Sequence, residues 1–152
     1  MGKIMKHIRL LSILFLGLIL AGSTQACGGD GPRPINVGQD QCAHCRMTVS
    51  DARFGSQLVT TKGRAYVFDD VQCLIAFVKA GTVASEDVAA YYLSDYVNEN
   101  KLQPVEKLLF LKSESLKSPM RGDIAAFASR EDLEKVREVH GGDVLTWEDL
   151  WK

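Results

Sequence analysis

The chain reads as an α+β fold, two similar small β-β-α units packed together behind an N-terminal export signal and a flexible tether. Three observations predict this. Short strand-like runs bounded by turn residues alternate with two segments of helical period. The pattern recurs: laying Gly63-Arg64-Ala65-Tyr66-Val67-Phe68 on Gly122-Asp123-Ile124-Ala125-Ala126-Phe127 also brings Leu74 onto Leu133. What remains after the signal has the length of one domain or of two small packed subdomains.

Residues 1–26 have the layout of a signal peptide. Lys3, Lys6 and Arg9 supply the positive end, and Leu10 to Ala21 is apolar except for Ser12. That run is shorter than the roughly 20 residues a bilayer-spanning helix needs. Cys27 follows Ala26 and precedes a Gly/Pro-rich stretch. It is expected to be the first mature residue and to carry lipid, with residues 27–39 as a tether. The other reading is an ordinary cleavage site that leaves Cys27 as a free thiol. Losing the three positive charges of the signal takes the formal net charge from −1 to −4. With no basic block or arm, nucleic-acid binding has little support.

Residues 40–152 then form the domain, with units at about 50–100 and 105–150. Phe54 to Thr61 and Arg64 to Phe68 read as a hairpin across Lys62-Gly63. Asp69 or Asp70 caps a helix running to Lys79, with Val71, Leu74, Ile75 and Val78 on its apolar stripe and Gly81 as its stop. Val88 to Val97 has strand composition. In the second unit Lys107 to Lys112 and Asp123 to Phe127 are strands separated by a break at Ser118-Pro119. Ser129 caps a helix to about Val139, with Leu133, Val136 and Val139 facing inward, and Gly141-Gly142 ends it. Val144 to Trp147 adds a last strand. In this alignment Asp132 occupies the place of Cys73.

The segment Cys42-Ala43-His44-Cys45-Arg46-Met47 gathers two thiols, an imidazole and a thioether. Thiolates suit zinc, iron–sulfur clusters and Cu(I), and thioether adds little for zinc but favours Cu(I). Met120, in the loop Ser118-Pro119-Met120-Arg121, is a further soft donor from the second unit. The expected metal ligands are therefore Cys45, Met47 and Met120, with Cys42 and His44 for a remaining position. Cys73, on the first helix, is expected to be a buried small hydrophobe that costs stability rather than affinity when removed. An odd number of thiols besides Cys27 argues against a disulfide framework. Two other readings stay open. Cys42 and Cys45 have redox-motif spacing, although the preceding residues make a poor strand. Zinc could recruit His44 and Cys73. There is no GxSxG, HExxH or phosphate loop, so a hydrolase or nucleotide site is not indicated.

Taken together, Cys42-Ala43-His44-Cys45-Arg46-Met47, Tyr66-Val67-Phe68-Asp69-Asp70 with Cys73-Leu74, Ser118-Pro119-Met120, and Gly141-Gly142 with Trp147 resemble the NosL family of nitrous-oxide-reductase accessory lipoproteins. The resemblance covers roughly residues 40–150. It implies two α/β units of ββαβ type and a periplasmic, lipid-anchored Cu(I) protein with no catalysis of its own. It also implies delivery of copper for the copper-sulfide centre of nitrous oxide reductase, in partnership with a membrane ABC-type maturation complex. The family commonly has glycine where Arg46 and Arg121 stand.

Overall fold

In the computed structural model of the chain, residues 31–152 are described; the signal and Cys27 lie outside them. The first unit begins with the hairpin β1 (Ser56–Thr60) and β2 (Ala65–Phe68), followed by α1 (Val71–Lys79), β3 (Val88–Ser94) and β4 (Leu102–Pro104). The second unit runs β5 (Leu109–Lys112), β6 (Ile124–Phe127), α2 (Arg130–His140) and β7 (Asp143–Leu145). The sheet orders are β2-β1-β3-β4 and β6-β5-β7, with all pairings within them antiparallel. In both units the first strand lies between its hairpin partner and the strand that returns after the helix. The internal repeat is therefore a repeat of topology, ββαβ twice.

Capping and periodicity set the helices as the sequence predicts. The Asp70 carboxylate accepts from Gln72 N–H, and Ser129 accepts from Asp132 N–H. Gly81 follows α1 at φ 66° and Gly141 follows α2 at φ 67°, conformations that glycine adopts without strain. The structure differs at α2's far end: Val139 is 79% exposed. Six residues beyond Leu133, Val139 stands roughly a third of a turn away on a helix of about 3.6 residues per turn, so Leu133 is buried, Val136 packs partly and Val139 turns to solvent. The strand expected at Val144 to Trp147 is Asp143–Leu145, and the chain then turns into a 3-10 segment, Glu148–Trp151.

Every residue of β1 is buried, including Gln57, because its sheet is covered on both faces. Leu58, Phe68 and Leu93 face α1. On the opposite face Val67 packs with Ile35 and Val49, and the Gln57 side-chain amide pairs with the backbone of Arg33 at both its oxygen and its nitrogen. Arg33 also grips Asp40 through two 2.8 Å hydrogen bonds. The domain therefore begins ahead of residue 40. Residues 33–39, expected as tether, are held to the sheet because Ile35 fills an apolar gap that the open sheet face would otherwise expose.

The second sheet is likewise enclosed. Leu111, Ala125 and Phe127 face α2 through Leu133, while Phe110, Ile124 and Ala126 join the core of the first unit. Strand alternation assigns those two sets to opposite faces. A parallel bridge between Asp95 and Ala126, with Tyr96 N–H donating to the Ala126 carbonyl at 2.8 Å, ties the units together. Among the described residues no helix is long and apolar enough to cross a membrane.

Candidate metal centre

The cysteine loop is built on the free edge of β2. Ala43 N–H donates to the Val67 carbonyl at 2.8 Å. Gln41 and Thr48 form an antiparallel bridge, Cys42 N–H donates to the Met47 carbonyl at 2.8 Å, and Arg46 N–H donates to the Cys42 carbonyl at 3.0 Å. Closing so tight a turn puts Arg46 at φ 67°, the left-handed region that favours glycine. The loop then lies over the start of α1. There the Sγ atoms of Cys42, Cys45 and Cys73 all come within 4.8 Å of one another. Cys42 and Cys73 are buried and Cys45 is half-buried.

Backbone N–H groups point at these sulfurs. Those of Asp69, Cys45 and His44 serve Cys42, and that of Met47 serves Cys45. The Cys73 thiol donates to Cys42, which, helped by those N–H groups and against the cost of burial, holds Cys42 far below the ordinary thiol range, at about 4. Cys73 is pushed up, first by giving its proton to that bond and then by burial. Burial is the main reason that Cys45 is raised. Cys42 is therefore the sulfur of the three that ionises most readily. Cys73 lies in the first turn of α1, whose N-terminal partial charge favours an anionic cluster. The buried Asp69 accepts from Ser50 N–H at 2.8 Å; burial pushes its carboxyl up, and the Cys42 charge adds to that rise.

Met47 stands at the lip, 57% exposed. His44 is exposed, and its ring is not among the groups that converge with the three thiols. Met120 is half-buried and packs against the same apolar cluster as Cys42, Cys45 and Cys73. Its loop is clasped by Asp70. The Asp70 carboxylate, already capping α1 at 2.9 Å, accepts from Ser118 Oγ at 2.5 Å and from Met120 N–H at 3.2 Å. Gly122 permits this approach, since a Cβ there would lie 2.8 Å from Asp70 Oδ1 and 2.3 Å from Gln72 Cγ. Lys117, Arg121 and Asp123 all have positive φ, as does Arg46. Among the described residues, four of the five non-glycine residues in that conformation thus frame this site.

Of the expected ligands, Cys42 and Cys45 converge with Cys73, while Met47 lies on the same loop and is mostly exposed. Cys73 is as buried as expected, but it is no isolated packing residue: its sulfur belongs to the thiol cluster. The available signal was its angle on the helix. Cys73 lies off the stripe set by Val71, Leu74 and Ile75, and a buried residue there needs another element to cover it. The clasp role of Asp70 has no sequence signal beyond its cap.

Three thiols in one cluster can hold a metal ion, and the donor set suits a soft one. The NosL family profile matches residues 34–152. No curated protein matches the sequence. Among solved structures, the copper chaperone NosL from Shewanella denitrificans is similar in fold at a TM-score of 0.64 and 18% identity, over 80% of this chain and 96% of that one.

Proposed function

Because the chain belongs to the NosL family, we propose that it is an exported Cu(I) carrier that supplies copper for the copper-sulfide centre of nitrous oxide reductase. The observation that carries this reading is the convergence of three thiols within 4.8 Å, one half-buried, next to an exposed thioether. Cu(I) is content with two or three soft ligands. Cys42 and Cys73 offer buried sulfur, Cys45 and Met47 offer sulfur at the surface, and Met120 closes the set from the second unit. An incoming ligand meets Cys45 and Met47 first, so copper leaves by exchange at the lip rather than by unfolding of the loop. His44, exposed on the same loop, serves as an alternative donor during transfer. The chain works as a chaperone, copper being its cargo, and is held at the periplasmic face of a membrane by lipid on Cys27. Its partners are an ABC-type maturation complex and the reductase. The copper chaperone from Shewanella denitrificans, alike in fold, supports the copper reading.

Titration of the reduced protein with Cu(I) and with zinc tests the proposal. One Cu(I) per chain is expected, preferred over zinc, with sulfur in the first shell by X-ray absorption. A shell of nitrogen and oxygen alone would overturn it. In cells limited for copper, loss of the protein is expected to lower the copper content of the reductase without blocking its export. Equal loading would leave a Cu(I) carrier but remove this recipient.

A further inference from the structure

Beside the thiol cluster, a cleft of about 420 Å³ opens between the cysteine loop, β2 and α1. Arg33, Arg46 and Arg64 line it, and no acid does, although the chain as a whole is formally acidic. Arg33 is committed to Asp40. Among the described residues, Arg46 and Arg64 take part in no ion pair. The Arg64 guanidinium lies 4.4 Å from the centroid of the Tyr66 ring. Stacking fixes its plane and leaves its N–H edge free for a carboxylate. Arg46 occupies a backbone conformation in which arginine costs roughly 1 kcal/mol more than glycine. The rest of the wall is mixed, with Ala43 from the cysteine loop, Val67 from β2, and the polar Gln41 and Thr82.

We propose that this cleft seats an acidic segment of the protein that exchanges copper with the chain, its carboxylates pairing with Arg46 and Arg64. Naming the occupant as a copper-exchange partner rests on the carrier reading above; the charge complementarity does not. The cleft is of ligand size, and a free inorganic anion would fill little of it. Since the rest of the surface carries the excess acid, an acidic partner is repelled elsewhere and oriented here. Ala43 and Arg46 belong to the cysteine loop, so a segment in the cleft brings its protein against Cys45 and Met47.

The test uses the reduced protein and a dye-labelled peptide alternating glutamate and leucine, with glutamine replacing glutamate in a control, followed by anisotropy. The acidic peptide is expected to bind, the control is not, and added salt should weaken binding. Arg46→Gln and Arg64→Gln should each lower affinity roughly tenfold or more, as loss of a charge-assisted pair does. Arg64→Gln should leave Cu(I) affinity unchanged. Equal binding of both peptides, no binding, or indifference to both substitutions would overturn the proposal. So would inorganic phosphate binding as tightly with the same arginine dependence, which would make this a small-anion site. Arginine-dependent peptide binding by a protein that takes up no Cu(I) would support the cleft and remove the carrier reading.

Discussion

Replacing Asp70 with asparagine should loosen the second unit's loop from the first. The carboxylate is buried and accepts three hydrogen bonds, from Gln72 N–H, Ser118 Oγ and Met120 N–H. Asparagine keeps the shape and one carbonyl oxygen. If that oxygen stays on the helix cap, an NH₂ group faces the other two donors. Ser118 can turn its hydroxyl, since Oγ already accepts from Asp123 N–H at 2.8 Å and has a lone pair to spare. Met120 N–H cannot adapt. Leaving it unpaired costs about 1–3 kcal/mol, and losing the charge on the remaining bonds adds about 1 kcal/mol. D70N should therefore lose about 3 kcal/mol. D70A, which also loses the cap, should lose about 4 kcal/mol. At roughly 3–5 °C per kcal/mol for a domain of this size, D70N should melt some 10 °C lower. The assay is urea and thermal unfolding of the reduced, metal-free protein, with S118A and the double variant. Because Ser118 and Asp70 share a bond, the double variant should fall short of additivity by about 1 kcal/mol. A D70N loss under about 1 kcal/mol, or full additivity with S118A, would refute the clasp.

At positions 46 and 121 glycine should be more stable than alanine by about 1 kcal/mol, the reverse of the helix-interior order, because both have positive φ; urea unfolding of R46G against R46A and R121G against R121A checks this. C73A should weaken Cu(I) at least tenfold in competition with a chromophoric chelator and also cost about 1–2 kcal/mol, since its sulfur is both buried and in the cluster. M47A should lower Cu(I) affinity in the same assay while shifting stability by less than about 0.5 kcal/mol, because the side chain is mostly exposed. The depressed Cys42 thiol should show as one thiolate in the ultraviolet at neutral pH, fading as pH falls towards about 4. A group whose folded pKa is lowered stabilises above its unfolded value, about 8.5, and loses that contribution as pH falls through the folded one. Stability of the reduced apoprotein should thus decline from pH 8 towards 4. Cys73, raised instead, should reverse the slope above about 8.5. C42S should flatten the acid side, and an unchanged curve would refute the charge assignment.

By itself the sequence determined the local structure and the kind of chemistry. Asp70 and Ser129 sit before helical stripes, Lys62-Gly63 separates two β runs, and the Gly63 and Gly122 segments repeat, so both units were legible from short-range rules. So was the soft-donor character of Cys42, Cys45 and Met47, since six consecutive residues in one tight loop cannot be far apart. Whatever depends on one element covering another was decided only in the tertiary structure. Cys73 became part of the cluster because the cysteine loop docks on the edge of β2 and closes over the start of α1. Ile35 left the tether because the sheet face opposite α1 needed an apolar cover. Val139 stayed in water because α2 turns Leu133, and not Val139, onto the sheet. Asp70, readable as a cap, gained its hold on Met120 from a loop some fifty residues away. Local sequence sets which groups a segment presents, but the packing of distant segments decides which of them lose water and meet.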